Sequence, residues 1–557
     1  MVERKQVELV LNAASEAAQS MSLPARELIF QLVALCDSLC SEVLALQETV
    51  RVLKDEINRL KGEQGRPDIK GKGNGNSSDH SSEQERKGKK KRKKKGRGKK
   101  TVTPNRTEII KVGQSQLPVD AQFKGYDIRV FQGLKIETDN VELKLEIWYS
   151  PSQRKTYRAA LPAGYNGEFA PSIKALVILL NREAHMTEAA VLRFMKTYGI
   201  QMSASTISRM LTRGNDDLHQ ERKDIMKAGL ETMAYHHIDD TGCKVKGVSC
   251  YTNIICSPYH TVYSTQTSKD RLTVLKVLCP DELKFTLNQA AIDLMYQNGL
   301  SKDKWGQKLQ ELVSDEAITE EEMTKKVNAL LPNPNKQQTN RKIIMEAAAL
   351  TYYREHNLAI QCLISDDAGQ FKDIALYHAL CWIHEGRHYK KLMPIGKRAK
   401  TLTEDFITKF WNLYDQLAEY KENPKPYKAK QLEKKFDMLF STVTGYQPLD
   451  QCIARTKDKK ENLLVCLWLP FIPLHNNPAE LGAREQARIR DIHLHTITAA
   501  GTMAKDTFAT ITQTARKLGV NIYDYLYDRI TQQFKMPSLA DCIRVAVAMN
   551  MPIPNTS

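Results

Sequence analysis

The first strong pattern along the chain is a seam of apolar residues that are spaced alternately by four and three positions. Such spacing keeps apolar side chains on one face of a helix for about four heptads and is typical of a coiled coil. A single amphipathic helix packed on its own core would give the same pattern, but the polar segment that follows offers no core. We therefore predict that residues 1–64 form a helical oligomerisation region. The seam comprises Leu32, Cys36, Leu39, Val43, Leu46, Val50, Leu53, Ile57 and Leu60.

Alternation of apolar and polar residues between Gln122 and Leu161 indicates strands. The segments YDIRVF, VELKLEIWYS and TYRAAL are rich in β-branched and aromatic residues, and turn formers separate them. We predict a small β-rich module over residues 104–170.

A helical period returns after Ser172. One helix is predicted from Thr187 to Tyr198, Gly199 ends it, and a second helix opens at Ser203 among small hydroxyl residues. This is the layout of a helix-turn-helix, although any helical hairpin shares it. We assign residues 171–228 to such a region, with DNA contacts from Ser203, Ser205, Thr206 and Arg209.

Two apolar strands then end in paired acidic residues. The first runs from Met233 to Asp240 and is followed by two more strands and by a helix from Asp270 to Leu278. The second strand runs from Leu358 to Asp367. A three-strand meander followed by a helix, with an acid on its first strand, is the way in which an RNase-H-like fold begins.

A third candidate acid, Glu480, lies in a segment where Pro478 can occupy the first turn of a helix and Asn477 the cap before it. Three carboxylates from distant parts of a chain suit two Mg²⁺ ions about 4 Å apart, which activate the attacking oxygen and stabilise the leaving oxygen. Mg²⁺ takes hard oxygen ligands and needs no His or Cys. Paired acids are also common as helix caps and surface groups, so spacing alone leaves both interpretations open.

The charge of the chain is concentrated in one segment. The formal net charge is +17, and the run from Arg86 to Lys100 holds twelve basic residues and no acid, which leaves +5 for the rest. We predict that residues 65–103 are a disordered basic linker that contacts DNA phosphate without sequence preference, although a linker that only aids solubility would look the same. The contacting residues would be Arg86, Lys87, Lys89, Lys90, Lys91, Arg92, Lys93, Lys94, Lys95 and Arg97.

Length and composition exclude several classes of protein. With 557 residues of which 41% are hydrophobic, the chain can bury the cores of about three or four domains. Its longest apolar run, Leu463 to Leu474, is too short to span a bilayer, so we expect no membrane partner and a cytoplasmic protein. No pair of its 11 cysteines has the C-x-x-C spacing of a zinc site.

Whole segments of the chain resemble the insertion sequence 66 family of transposases, which are Asp-Asp-Glu enzymes with an RNase-H-like core. The resemblance lies in Asp239-Asp240-Thr241-Gly242-Cys243, in Asp366 followed by Cys381-Trp382-Ile383-His384, in His475-Asn476-Asn477-Pro478-Ala479-Glu480 with Arg484, and in ARKLGVNIYDYL at 515–526. It implies that Asp239, Asp366 and Glu480 bind two Mg²⁺ (or Mn²⁺) ions.

The resemblance also implies roles for residues around the three acids. Asp240 and Asp367 would support the metal ligands, and His384 and Arg387 would contact DNA phosphate or the edge of the active site. Asn476, Asn477 and Arg484 would orient Glu480 or hold the DNA end. We expect Cys381 and Trp382 to pack in the core.

The chain departs from the family pattern in three respects. Residues 104–165 contain no cysteine, where many members carry a small zinc-binding module. Gly242, Cys243 and His475 replace the usual residues beside two of the acids. The stretch 279–357 is longer than usual and is predicted to be a helical insertion, as is 391–462, so that the core comprises 229–278, 358–390 and 463–557.

The predicted protein is thus a multidomain α/β chain with an RNase-H-like catalytic core and helical insertions, preceded by a coiled coil, a β-rich module and a helix-turn-helix. Its expected function is Mg²⁺-dependent cleavage and strand transfer on double-stranded DNA, at terminal inverted repeats and at a target. We expect at least a dimer in a bacterial or archaeal cytoplasm, associated with the nucleoid, and the resemblance suggests small companion proteins as partners. The alternatives are a catalytically degenerate binder or repressor of the element ends and a structure-specific nuclease of the same fold.

Overall fold

A computed structural model describes residues 4–60, 103–112, 121–165, 167–279, 281–333, 335–356 and 360–550. The basic run at 86–100, for which DNA contact is predicted, lies outside these residues.

Two N-terminal helices form a hairpin that packs on the C-terminal half of the chain. Helix α1 spans Arg4–Ala18 and α2 spans Leu23–Leu60. Leu11 and Val33 from the two helices share a small apolar cluster with Ile395. The expectation that α2 has no core to pack on is therefore wrong: one face of α2 docks on the body, and the predicted seam lies on the other face. Those seam residues whose side chains are described are exposed, as Leu39 and Leu46 illustrate.

Within the described residues, one helical stretch, Leu23–Gln47, is long and apolar enough to cross a membrane by length and composition alone. The sequence was expected to contain none. The apolar residues of this stretch are divided between the seam and the docking face instead of forming one unbroken run.

The region 104–170 contains less strand than its alternating pattern predicts. Among its described residues, only β1 (Ile147–Ser150) and β2 (Lys155–Arg158) are strands, and they pair as an antiparallel hairpin. The segment YDIRVF forms no strand, and Ile128 and Phe131 are more than four-fifths exposed. An alternating pattern makes a strand only where a partner covers its apolar side, and here none of the described residues does so.

Four helices lie between the β1-β2 hairpin and the central sheet. They are α3 (Pro171–Arg182), α4 (Glu188–Thr197), α5 (Ala204–Thr212) and α6 (Asp216–Thr232). The side chain of Thr187 caps α4 by accepting the N–H of Ala190, and Ser203 caps α5 by accepting that of Thr206. Ile207 and Leu211 of α5 are buried, so its polar opening turn faces outward.

The central sheet has five strands in the order β5-β4-β3-β8-β9. Strands β3, β4 and β5 are antiparallel neighbours, whereas β8 lies parallel to β3 and β9 parallel to β8. Their bounds are β3 His236–Val245, β4 Val248–Cys256, β5 Thr261–Gln266, β8 Ile360–Ser365 and β9 Ala375–Leu380.

Strand β3 continues beyond the acids where it was predicted to end. It pairs with β4 as far as Val245 and Val248, across a two-residue turn in which Lys246 and Gly247 both have positive φ. Such a turn matches the twist of a tight β-hairpin. Because the turn holds the two strands together, β3 includes the polar residues after Asp240, whose sequence suggests a loop.

The predicted insertion 279–357 is not purely helical. Helix α7 spans Arg271–Leu278, so it begins one residue later than predicted, and Asp270 is its cap. It is followed by β6 (Phe285–Leu287), α8 (Gln289–Gln297), α9 (Lys302–Gln310), β7 (Ser314–Ile318), α10 (Glu320–Leu330) and α11 (Gln338–Glu355). Strands β6 and β7 pair with each other, and apolar residues of this region join the same core cluster as the central sheet.

The remaining elements of the described chain, beyond β9, are helices. They are α12 (Trp382–Lys390), α13 (Lys397–Glu422), α14 (Pro426–Leu439), α15 (Gln447–Asp458), α16 (Lys460–Leu463), α17 (Val465–Trp468), α18 (Asn477–His493), α19 (Ala499–Leu518), α20 (Ile522–Ile530) and α21 (Leu539–Asn550). Helices α12 to α17 surround an aromatic cluster of their own around Trp382, Phe410 and Phe436. The structure is therefore a mixed α/β fold in which α12 and α18 lie close to the sheet.

Candidate active site

Sheet register brings two of the predicted acids together. His237 of β3 pairs with Ile364 of β8, and these two strands run parallel. Asp239 and Asp366 each lie two residues after this pair. They are therefore side by side at the end where the parallel pairing of β3 and β8 stops. Asp366 Oδ1 accepts the N–H of Ala368 at 3.1 Å, which fixes the turn after β8.

The third acid comes from α18, which packs very closely on the sheet. Glu480 lies one turn into this helix and is largely buried. A Cβ added to Gly482 would lie 2.7 Å from a methyl carbon of Ile254 in β4, closer than ordinary contact allows. The missing side chain at Gly482 thus permits the helix approach that places Glu480 beside the strand acids.

A fully buried asparagine fastens α18 to β3. The side-chain nitrogen of Asn476 donates to the carbonyl of Ile238 at 2.8 Å, and its oxygen accepts from Nδ1 of His237 at 3.0 Å. Burial lowers the pKa of His237 to about 3, so its ring is neutral. Asn476, and not Asn477 as predicted, is the residue that caps α18, and its side chain binds the strand instead of the helix. Asn476 therefore fixes the backbone immediately before Asp239.

The three acids influence one another electrostatically. Burial, together with the negative charges of Asp366, Asp240 and Glu480, raises the pKa of Asp239 to about 7. A hydrogen bond from the N–H of Asp240 acts in the opposite direction. A divalent cation bound beside Asp239 would favour the charged form of this carboxyl and so offset the effects that raise its pKa.

Basic groups lie on the other side of Glu480. Arg387 Nη2 approaches its carboxylate at 3.2 Å and Arg484 Nη2 at 3.6 Å. His384 Nδ1 lies 3.7 Å from Glu480 Oε1, and burial lowers the pKa of this histidine. His384 and Arg387, which were expected to contact DNA phosphate or the edge of the active site, thus lie beside Glu480 together with Arg484.

The neighbouring acids Asp240 and Asp367 have partners of their own. Asp240 Oδ2 accepts from the side chain of Gln370 at 2.8 Å, and burial raises its pKa. Asp367 pairs with Lys459 at 2.7 Å. Neither Gln370 nor Lys459 was identified from the sequence. Gln370 lies only four residues after Asp366 but belongs to no motif, and Lys459 comes from a distant helix.

Cys381 and Trp382 are buried, as expected. The indole nitrogen of Trp382 donates to the carbonyl of Leu463 at 2.8 Å. The sulfur of Cys381 accepts the N–H of Asn476 at 3.2 Å, and burial raises the pKa of its thiol to about 11. The N–H of Asn477 donates to Nδ1 of His475 at 3.3 Å, so the segment before α18 is folded tightly on itself.

The predicted helix-turn-helix residues lie apart from the acids, on the surface of α5. Ser203, Ser205 and Arg209 are exposed and Thr206 is half-buried. Arg209 Nη2 donates to the hydroxyl of Thr206 at 3.2 Å, and the Ser203 and Ser205 hydroxyls are 2.8 Å apart. They form one continuous polar patch.

Comparison with known proteins gives two findings. A family model described as "Transposase IS66 family" matches residues 346–504, a stretch that contains Asp366 and Glu480 but not Asp239. The chain is also 32% identical over 312 residues to "Uncharacterized protein y4jO" of Sinorhizobium fredii (strain NBRC 101917 / NGR234). That similarity covers 55% of this chain and 94% of the relative.

Proposed function

Since the chain belongs to the IS66 family of transposases, we propose that it binds the terminal inverted repeats of an insertion sequence and cleaves and joins DNA there. Asp239, Asp366 and Glu480 would form its catalytic triad. The observation that carries this proposal is the convergence of the three acids, two by parallel strand register and one by the close approach of α18.

The fold around the acids supports an RNase-H-like core. The meander β3-β4-β5, the acid on its first strand and the helix α7 after it agree with the order expected from the sequence. Strands β8 and β9 extend the same sheet, and Asp366 directly follows β8.

The donor atoms fit a divalent metal such as Mg²⁺ or Mn²⁺. All three candidate ligands are carboxylates, which are hard oxygen donors. Burial and, to a smaller extent, the charges of Asp366 and Glu480 raise the pKa of Asp239. Two such ions, when bound, would activate the attacking oxygen and stabilise the leaving one. Asn476 would hold Asp239 in place through its hydrogen bond to the backbone of Ile238. Arg387, which contacts Glu480, would bind a DNA phosphate at the edge of the site.

DNA recognition would be divided among several segments. The polar patch on α5 would enter the major groove, and the basic run at 86–100 would add affinity that falls with salt. The exposed seam of α2 would join two copies, because two DNA ends must be brought together. We propose a cytoplasmic, nucleoid-associated protein that works with small companion proteins of the same element.

One matched pair of variants tests the assignment. Asp366→Asn should abolish Mg²⁺-dependent nicking of DNA that carries the element ends, whereas Asp367→Asn should retain it, because Asp367 is engaged by Lys459. Both variants should bind the ends as the wild type does in a mobility-shift assay. Retained nicking in Asp366→Asn, with normal folding, would refute the assignment.

A second candidate function is supported by the salt bridges of Glu480. An acid held by Arg387 and Arg484 is less free to bind a metal, and the residues beside two of the acids depart from the family pattern. The chain would then be a degenerate transposase that binds the ends without cutting them. Such a protein would bind the ends but would show no nicking with either Mg²⁺ or Mn²⁺. The remaining alternative, a structure-specific nuclease of the same fold, would cut DNA without joining it.

A further inference from the structure

A second cluster of metal-binding groups adjoins the acids. One donor atom each from Cys381, His384 and Glu480 lies within 4.8 Å of the other two. Unlike the three carboxylates, this set joins a thiol, an imidazole and a carboxylate. Such mixed, softer donors suit Zn²⁺ or a related transition metal and are poorly suited to Mg²⁺.

The histidine of this cluster is poised for a ligand. Nδ1 of His384 is buried and makes no hydrogen bond with any described residue. It lies 3.7 Å from Glu480 Oε1, which is beyond hydrogen-bonding distance. Ligands around a tetrahedral zinc ion are separated by about 3.3–3.6 Å, as follows from metal–ligand distances of about 2.0–2.3 Å. The histidine and the glutamate therefore need to move very little to share an ion.

The cysteine is held in place by the backbone. It directly precedes α12, on whose first turn His384 lies, so the helix fixes the spacing of the two side chains. The N–H of Asn476 donates to the sulfur at 3.2 Å, and the N–H groups of Ile383 and His384 also face it. Backbone donors of this kind stabilise the negative charge of a metal-bound thiolate.

We propose that Cys381, His384 and Glu480 form a site for a transition-metal ion of the Zn²⁺ class, distinct from the Mg²⁺ site of the three acids. The two sites share Glu480. An ion at the mixed site would withdraw Glu480 from Asp239 and Asp366, so zinc would oppose Mg²⁺-dependent cleavage. The binding stands by itself, whereas this inhibitory consequence rests on the proposed function.

Cobalt titration of the metal-free, full-length chain tests the binding. Co²⁺ should give the near-ultraviolet absorption of a thiolate-to-cobalt charge transfer at one equivalent, and Zn²⁺ should abolish it. Cys381→Ser should lose the band. Cys36→Ser, which removes an exposed cysteine of α2, and Asp239→Asn, which alters only the triad, should both keep it.

A second variant guards against misfolding of Cys381→Ser. His384→Gln leaves the thiol in place and should weaken the binding of Co²⁺ at least about tenfold, since the loss of even an indirect ligand partner has that effect. An absent band in the wild type, an unchanged band in Cys381→Ser, or unchanged affinity in His384→Gln would each overturn the site.

Activity separates this site from the proposed function. If the chain nicks DNA with Mg²⁺, one equivalent of Zn²⁺ should reduce the rate at least about tenfold in the wild type, and less in Cys381→Ser. Zinc that binds as described without slowing nicking would refute the inhibitory role. If no variant nicks DNA under any condition, the proposed function fails and the cobalt titration still decides the site.

Discussion

Replacement of Asp239 by asparagine should stabilise the metal-free protein. Burial and the neighbouring acids raise the pKa of this carboxyl from 3.8 to about 7 in the folded chain. Between these two values the folded state binds a proton that the unfolded state has lost, so stability falls as pH rises through this window. At pH 8 the folded chain must hold a charged carboxylate in a site that disfavours it.

The size of the effect follows from the shift. Three pKa units correspond to about 4 kcal/mol, and partial solvent access and the coupling among the acids reduce this to about 2–4 kcal/mol. An asparagine carries no charge at any pH, so Asp239→Asn should slow amide exchange of β3 by about 30- to 1000-fold at pH 8. At pH 5 the gain should be smaller by roughly half, because the folded carboxyl is then protonated and only the unfolded one is ionised.

Hydrogen exchange of β3 amides, followed by mass spectrometry with a metal chelator present, measures the change. A parallel experiment with Mg²⁺ in place of the chelator provides the control. Mg²⁺ should slow exchange in the wild type because it binds only the folded state, and it should slow exchange much less in Asp239→Asn. Equal exchange of the two proteins at pH 8, or a larger gain at pH 5 than at pH 8, would refute the assignment of a crowded, buried carboxylate at this position.

Three further predictions concern the packing around the acids and the N-terminal hairpin. Asn476→Ala should lower the free energy of unfolding of the core by about 2–4 kcal/mol, because it leaves the Ile238 carbonyl and His237 Nδ1 without their partner. The same variant should nick DNA more slowly but still bind the ends in a mobility-shift assay. Gly482→Ala should push α18 away from β4 and cost about 1–3 kcal/mol by thermal unfolding, whereas Leu481→Ala, at a half-exposed position on the same helix, should change stability little. Asp37→Ala should loosen the hairpin and speed its digestion by trypsin, whereas the exposed Glu42→Ala should not; equal digestion would show that the hairpin is held by other contacts.

Elements with a strong local period were predictable. The strands β4 and β5 and the helix α7 follow from alternation, from length and from the cap at Asp270, and the acids of β3 and β8 follow from their position beside apolar runs. What the local pattern could not supply was the length of β3, because its continuation past Asp240 depends on pairing with β4 and on a hairpin turn at Lys246 and Gly247.

The candidate site could be assembled from the sequence only in part. A motif can suggest Glu480, but the close packing of α18 on β4 depends on the missing side chain of Gly482. A single sequence does not distinguish this glycine from any other helical glycine. Asn476 was expected to orient Glu480 or to hold DNA, and its actual contact is with β3, some 238 residues earlier in the chain. The zinc-type cluster was missed for the same reason, since Cys381 was interpreted as a packing residue and its distance from Glu480 is a property of the fold.

The contact of Asp37 links the exposed seam of α2 to the region that carries the candidate active site. Its carboxylate, buried within α2, accepts the backbone N–H groups of Ile395 and Gly396, immediately before α13 begins. The exposed seam and the helical region beside α12 are therefore joined by a buried contact as well as by the chain itself. If two copies pair through the seam, as proposed, this contact would relate the separation of the two copies to the spacing between two bound DNA ends.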